Sequence, residues 1–156
     1  MTSSDPDTVF AAIHDEARST CGARLFTVTV LDRAAGLARR AYSSHPVDYP
    51  SSGTKPMQSN RWAEIVLTEG RSFVANSTPE FAIYFGDHAL INALGCDSAM
   101  NIPVADDSGQ VVATVNILDA AGHFTPERIA ALEGLVARHR SALLDAAARV
   151  PMGAQP

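Results

Sequence analysis

Residues 95–119 read GCDSAMNIPVADDSGQVVATVNILD. Two runs of strand-forming residues, 96–104 and 110–119, flank Asp106-Asp107-Ser108-Gly109, a turn-forming tetrad, so the stretch is expected to close a β-hairpin. Its first run is unusual. Strands that only build a core alternate apolar and polar residues or run apolar throughout, yet here Cys96, Asp97, Ser98 and Asn101 interrupt the pattern. A period of two puts Cys96, Ser98, Met100 and Ile102 on one face and Asp97, Ala99, Asn101 and Pro103 on the other. A bulge near Asp97 and Ser98 would blur that division. On either face, polar groups reach a layer that should be apolar, which favours a pocket.

Downstream, Thr125 is a natural N-cap with Pro126 as the first helical residue. Ile129, Leu132, Leu135, Val136, His139, Leu143 and Leu144 then form one apolar stripe, a helix of roughly 20 residues ending before Val150. Upstream, residues 77–95 read as two short helical pieces broken at Gly86, with Phe81, Tyr84, Phe85, Leu90, Ile91 and Leu94 turned inward. RSFVAN, residues 71–76, is a short strand, and Asn60 caps a helix carrying Trp62, Ile65, Val66 and Leu67. Residues 46–58 hold three prolines and a glycine. They form a loop longer than usual, a candidate lid or binding loop.

The N-terminal third opens with an amphipathic helix capped at Asp7 or Thr8, carrying Val9, Phe10, Ile13 and Ala17 and stopping at Gly22. A hairpin follows. Its first strand puts Phe26, Val28 and Val30 on a buried face and Leu25, Thr27, Thr29 and Leu31 on the other, and residues 37–45 return antiparallel. Because one hairpin is barely stable alone, strands from both ends must join a single antiparallel sheet. The terminal helices cover one face and residues 46–95 the other, an α+β domain over residues 8–148 with flexible ends at 1–7 and 149–156.

A chain of 156 residues fits one domain. With 46% hydrophobic and 19% charged residues it has the composition of an ordinary globule. The net charge of −5 argues against a nucleic-acid partner, because backbone binding needs a concentrated cationic face. Its short basic clusters, Arg39-Arg40 and Arg138-His139-Arg140, read as solvated faces. No apolar run has the length of a membrane span and the N-terminus is not a leader, so no membrane contact and a cytoplasmic location are expected. Cys21 and Cys96 are too few for a disulfide framework, and no histidines have ligand spacing, so neither metal nor cofactor is expected.

LFTVTVLD, YPSSGTKP, RWAEIVLTEGRSFVAN and above all LGCDSAMNIPVADDSGQVVATVNILDAAGHFTPERIAAL resemble the GAF domain family over about residues 8–145. The resemblance implies a six-stranded antiparallel sheet with terminal helices on one face and a ligand pocket, roofed by loops and helices, on the other. Members bind cyclic nucleotides, bilins, haem or small organic effectors, and one branch reduces free methionine sulfoxide. The cyclic-nucleotide signature is broken here: Asn116 is followed by Ile117, and Phe124 by Thr-Pro-Glu. Cys96 precedes Asp97, not the His usual for bilin attachment, and the position resembling the reductase cysteine falls near Asn92.

The resemblance places the 46–58 loop at the pocket rim, where Lys55 would favour an anionic ligand such as a carboxylate. Trp62 is either core or pocket wall. Asp87 is either an N-cap or, with His88, a pocket group under the roof. Cys96 is either a small buried hydrophobe or a thiolate activated by a cationic neighbour. The expected ligand-binding set is Lys55, Trp62, Phe81, Tyr84, Asp87, His88, Cys96, Ser98, Asn101 and Asn116. The leading expectation is a small-molecule sensor module, a homodimer through its terminal helices, read out by itself or by a separate output protein. The competing one is a small enzyme with His88 as acid or base and Cys96 or Asp97 assisting.

Overall fold

The computed structural model describes residues 5–51 and 53–152. Helix α1 spans Pro6–Cys21 and buries Phe10, Ile13 and Ala17. It starts just before the sequence-based N-cap. Pro6 fixes φ for the first turn, and the Asp5 carbonyl accepts from the amides of Thr8 and Val9 at 3.0 and 3.2 Å. Strands β1 (Leu25–Asp32) and β2 (Leu37–Ser43) form the first hairpin. The expected long loop also contains a short edge strand, β3 (Thr54–Pro56), paired with β2.

Helix α2 (Arg61–Ala63) is capped as expected, the Asn60 Oδ1 accepting from the Ala63 amide at 2.9 Å. It passes into a π-helical turn at Glu64–Thr68, a geometry frequent at functional sites. Then come β4 (Phe73–Ala75), α3 (Thr78–Ala82) and α4 (His88–Ala93). The final hairpin is β5 (Ser98–Ala105) and β6 (Val111–Asp119), its turn pinned by Asp106 Oδ1 accepting from the amides of Ser108 and Gln110. The expected single C-terminal helix is two, α5 (Pro126–Arg138) and α6 (Arg140–Ala148). They join at His139, whose φ of −99° and ψ of 10° leave the helical range and whose ring meets Glu16 of α1 at 2.8 Å.

The six strands form one antiparallel sheet in the order β3-β2-β1-β6-β5-β4. Helices α1, α5 and α6 bury Phe10, Ile13, Leu132, Leu135 and Leu143 against Phe26, Val28, Met100, Val115 and Ile117 on one face. Two smaller clusters cover the other face: Phe81, Ile91, Cys96 and Leu118 in one, Trp62, Val66, Leu67 and Leu31 in the second. Leu90, expected inward, is 40% exposed, because α4 is short and buries only its Ile91 side. The flexible ends proposed at 1–7 and 149–156 lie partly outside the described residues. Within them, Val150 and Met152 pack on the core and the Pro151 carbonyl accepts from Arg39. No helix among the described residues is long and apolar enough to cross a membrane.

One irregularity positions the site. The β1–β2 register runs Val28↔Tyr42 and then Thr29↔Arg40, so Ala41 is an extra residue on β2. Without this bulge Arg40 would lie opposite Val30 and face the helical layer. With it, Arg40 lies opposite Thr29 on the other face, the kind of re-aiming bulges provide.

Candidate functional site

A cavity of about 470 Å³ lies between the sheet and its roof, bordered by both smaller apolar clusters. That is the size range of small-molecule sites. Thr27, Thr29, Asn101, Thr114 and Asn116 form its floor, on β1, β5 and β6. Trp62, Leu67, Tyr84, Phe85 and Ile91 supply apolar and aromatic walls. Arg40, Tyr49, Lys55, Gln58 and Asp87 add further polar groups to the lining.

The floor is a connected hydrogen-bond chain. Asn101, Asn116 and Thr27 lie in one row across three strands, by the pairings Asn101↔Asn116 and Thr27↔Asn116. The Trp62 indole N–H donates to Asn101 Oδ1 at 3.0 Å. Asn101 Nδ2 donates to Asn116 Oδ1 at 2.8 Å, and Asn116 Nδ2 donates to Thr27 Oγ1 and Thr29 Oγ1, each at 3.1 Å. Buried amides are tolerated only when paired, and this chain pairs them. Trp62 is therefore both core and wall: 8% exposed, edge-on to Phe85, with its polar atom committed to the floor.

At the other end, the Arg40 guanidinium lies 3.8 Å above the Tyr49 ring, a cation–π contact. Its Nη1 donates to the Pro50 carbonyl at 3.0 Å, and its Nη2 lies 3.4 Å from Asp87 Oδ2, which also accepts from the Tyr49 hydroxyl. Burial foremost, with the Asp87 bond and charge adding and Arg40 opposing, holds the Tyr49 phenol well above its ordinary range, so it remains a donor. Asp87 does stand at the N-cap of α4, but its carboxylate makes no capping bond because Arg40 and Tyr49 hold it. Lys55, opposite Ala38 on the edge strand, is exposed and enters no ion pair among the described residues.

Of the expected set, Lys55, Trp62, Tyr84, Asp87, Asn101 and Asn116 line this cavity; Phe81, His88, Cys96 and Ser98 do not. Phe81 is fully buried and packs on Phe85 at 5.4 Å. The His88 Nδ1–H donates to the Phe85 carbonyl at 2.9 Å. Ser98, at the start of β5, donates to the carbonyls of Asp119 and Ala120. Asp97 accepts from Thr78 and Asn92. Cys96 is fully buried, and burial, aided by Asp119, pushes its thiol up to about 11, so it carries no thiolate at neutral pH.

Thr27, Thr29, Arg40 and Tyr49 were not foreseen. The alternating threonines of β1 were a usable signal for the first two, since they occupy the face opposite Phe26, Val28 and Val30. Among the described residues no group of three or more His, Cys, Asp or Glu side chains is arranged to hold a metal ion.

A GAF domain family model matches residues 5–143. No curated protein sequence is significantly similar to the chain. Among solved structures, a GAF domain/HD domain protein from Geobacter sulfurreducens is similar with a TM-score of 0.72 at 14% identity, covering 92% of this chain and 95% of that one. The GAF domain of a two-component sensor histidine kinase from Bacillus halodurans gives 0.70 at 14%, covering 88% and 92%. The GAF-B domain of DevS from Mycobacterium smegmatis gives 0.65 at 20%, covering 93% and 97%. At these identities the structures speak for the fold alone, and with the family match they agree on one conclusion: the chain belongs to the GAF domain family.

Proposed function

We propose that the roofed cavity binds a small organic ligand bearing an anionic group, and that the domain acts as a ligand-sensing module. The observation that carries this reading is the floor: a row of hydrogen-bonded Asn and Thr side chains beneath an open cavity, where a roof that merely packed on the sheet would meet apolar residues. Arg40 and Lys55 outnumber Asp87, the only acidic residue lining the cavity among the described residues, so the charge favours an anion. Trp62, Tyr84 and Phe85 suit a flat or apolar body.

Binding is favoured over catalysis because, among the described residues, no histidine or cysteine lines the cavity, and His88, Cys96 and Asp97 are engaged elsewhere. The sensing role draws support from the similar GAF domain of a sensor histidine kinase. Readout through a homodimer of the terminal helices or through a separate output protein belongs to the same proposal, and light scattering with and without ligand tests the dimer. The free thiols of Cys21 and Cys96 suit a reducing, cytoplasmic setting.

The direct test is a thermal-shift screen of small carboxylates, aromatic acids and purines. A ligand present at about a hundred times its Kd stabilises by roughly 2.7 kcal/mol and raises Tm by several degrees. Stabilisation by organic acids that is lost in Arg40→Ala supports the reading; no shift by any compound overturns it.

A further inference from the structure

The floor chain has a direction, and its direction selects the ligand. An indole N–H can only donate, so the Asn101 atom facing Trp62 must be the carbonyl oxygen. That turns the Asn101 amide nitrogen toward Asn116, whose facing atom must then be its own carbonyl oxygen. Asn116 is left with its amide nitrogen toward β1, where both hydrogens are used on Thr27 and Thr29. Each threonine oxygen thus accepts, and its own hydroxyl hydrogen is left to donate. Neither hydroxyl has an acceptor among the described residues, and both side chains line the cavity. The direction set by Trp62 therefore leaves the floor two hydroxyl hydrogens free to donate.

We infer that the ligand presents a hydrogen-bond acceptor, a carbonyl or a second carboxylate, to Thr27 and Thr29, while its anionic group meets Arg40 and Lys55. The class is a small oxo acid or dicarboxylate with a flat or apolar body. A ligand offering only a donor there can use a remaining threonine lone pair but leaves both threonine hydrogens unpaired, which costs affinity. The inference rests on the reading of the cavity as a site for small organic acids and adds the polarity of the inner end.

Three benzoates of similar shape with uncharged substituents test it by calorimetry: para-acetylbenzoate carries an acceptor, para-isopropylbenzoate neither group, and para-(methylamino)benzoate a donor. The expected result is that the acetyl compound binds tightest, by about tenfold over the other two. Thr29→Val, at a half-buried position that keeps its shape, should remove the acetyl preference. Trp62→Phe frees Asn101 to turn over and should shrink the same ratio, an effect that loss of wall area alone would not produce. Equal binding of the three, or preference for the donor, overturns the inference and leaves the anion-binding reading standing. Failure of all three to bind the wild-type protein overturns the inference for flat-bodied acids, while the anion-binding reading falls only if the wider thermal-shift screen also shows no ligand.

Discussion

Arg40 and Asp87 meet at one end of the cavity, Nη2 to Oδ2 at 3.4 Å, from a bulged strand and the cap of a short roof helix. The pair is long and partly exposed, with 21% and 37% of the two side chains accessible. Such pairs contribute about 0–1 kcal/mol to stability. Asp87 also occupies the guanidinium that an anionic ligand would use.

Asp87→Asn should therefore strengthen binding of small carboxylates severalfold while changing stability by less than about 1 kcal/mol. Arg40→Ala should weaken binding of the same acids. Calorimetric titration of both variants checks the pair, and weaker binding in Asp87→Asn would count against a competing role for its carboxylate.

The floor chain should make Asn101 expensive to remove. Asn101→Ala strips the acceptor from the buried Trp62 N–H and the donor from Asn116 Oδ1, a loss of about 2–4 kcal/mol. Urea unfolding measures it. A cost below about 0.5 kcal/mol would show that the chain is not held as a unit.

Alkali should destabilise the domain through Cys96. Its folded-state thiol sits at about 11, above an ordinary value of 9.0, so the folded form holds the proton more tightly than the unfolded form. Stability from this group is complete below pH 9.0 and is lost as pH climbs toward about 11. Tyr49 shifts in the same direction and adds its own loss at higher pH. Comparing wild type with Cys96→Ala across this range should show a shallower decline in the variant. Iodoacetamide at neutral pH should leave Cys96 unmodified until the protein unfolds.

Layering and element order were legible because they follow from apolar spacing: Phe10, Ile13 and Ala17 on α1, Phe26, Val28 and Val30 on β1. Asn101 was legible as a pocket residue, since alternation with the buried Met100 and Ile102 sends it to the other face. Ser98 has Met100's parity, and its hydroxyl is spent on the carbonyls where the strand begins. Arg40 was hidden by the bulge at Ala41, because a strict period of two carries it to the wrong face. Tyr49 belongs to a stretch outside any strand or helix, where no periodicity fixes direction. Asp87 was visible as a cap, but whether its carboxylate would cap α4 or turn to Arg40 depends on a partner 47 residues away in sequence.

Trp62 is the only tryptophan of the chain and forms part of the cavity wall, so its fluorescence reports on the site alone. The most direct test is titration of that signal with a panel of small oxo acids and dicarboxylates at fixed ionic strength. A saturable change with at least one acid, weakened about tenfold or more in Arg40→Ala, is the expected result. A signal that no acid alters, in a protein shown to be folded, would contradict the assignment of this cavity as an anion-binding site.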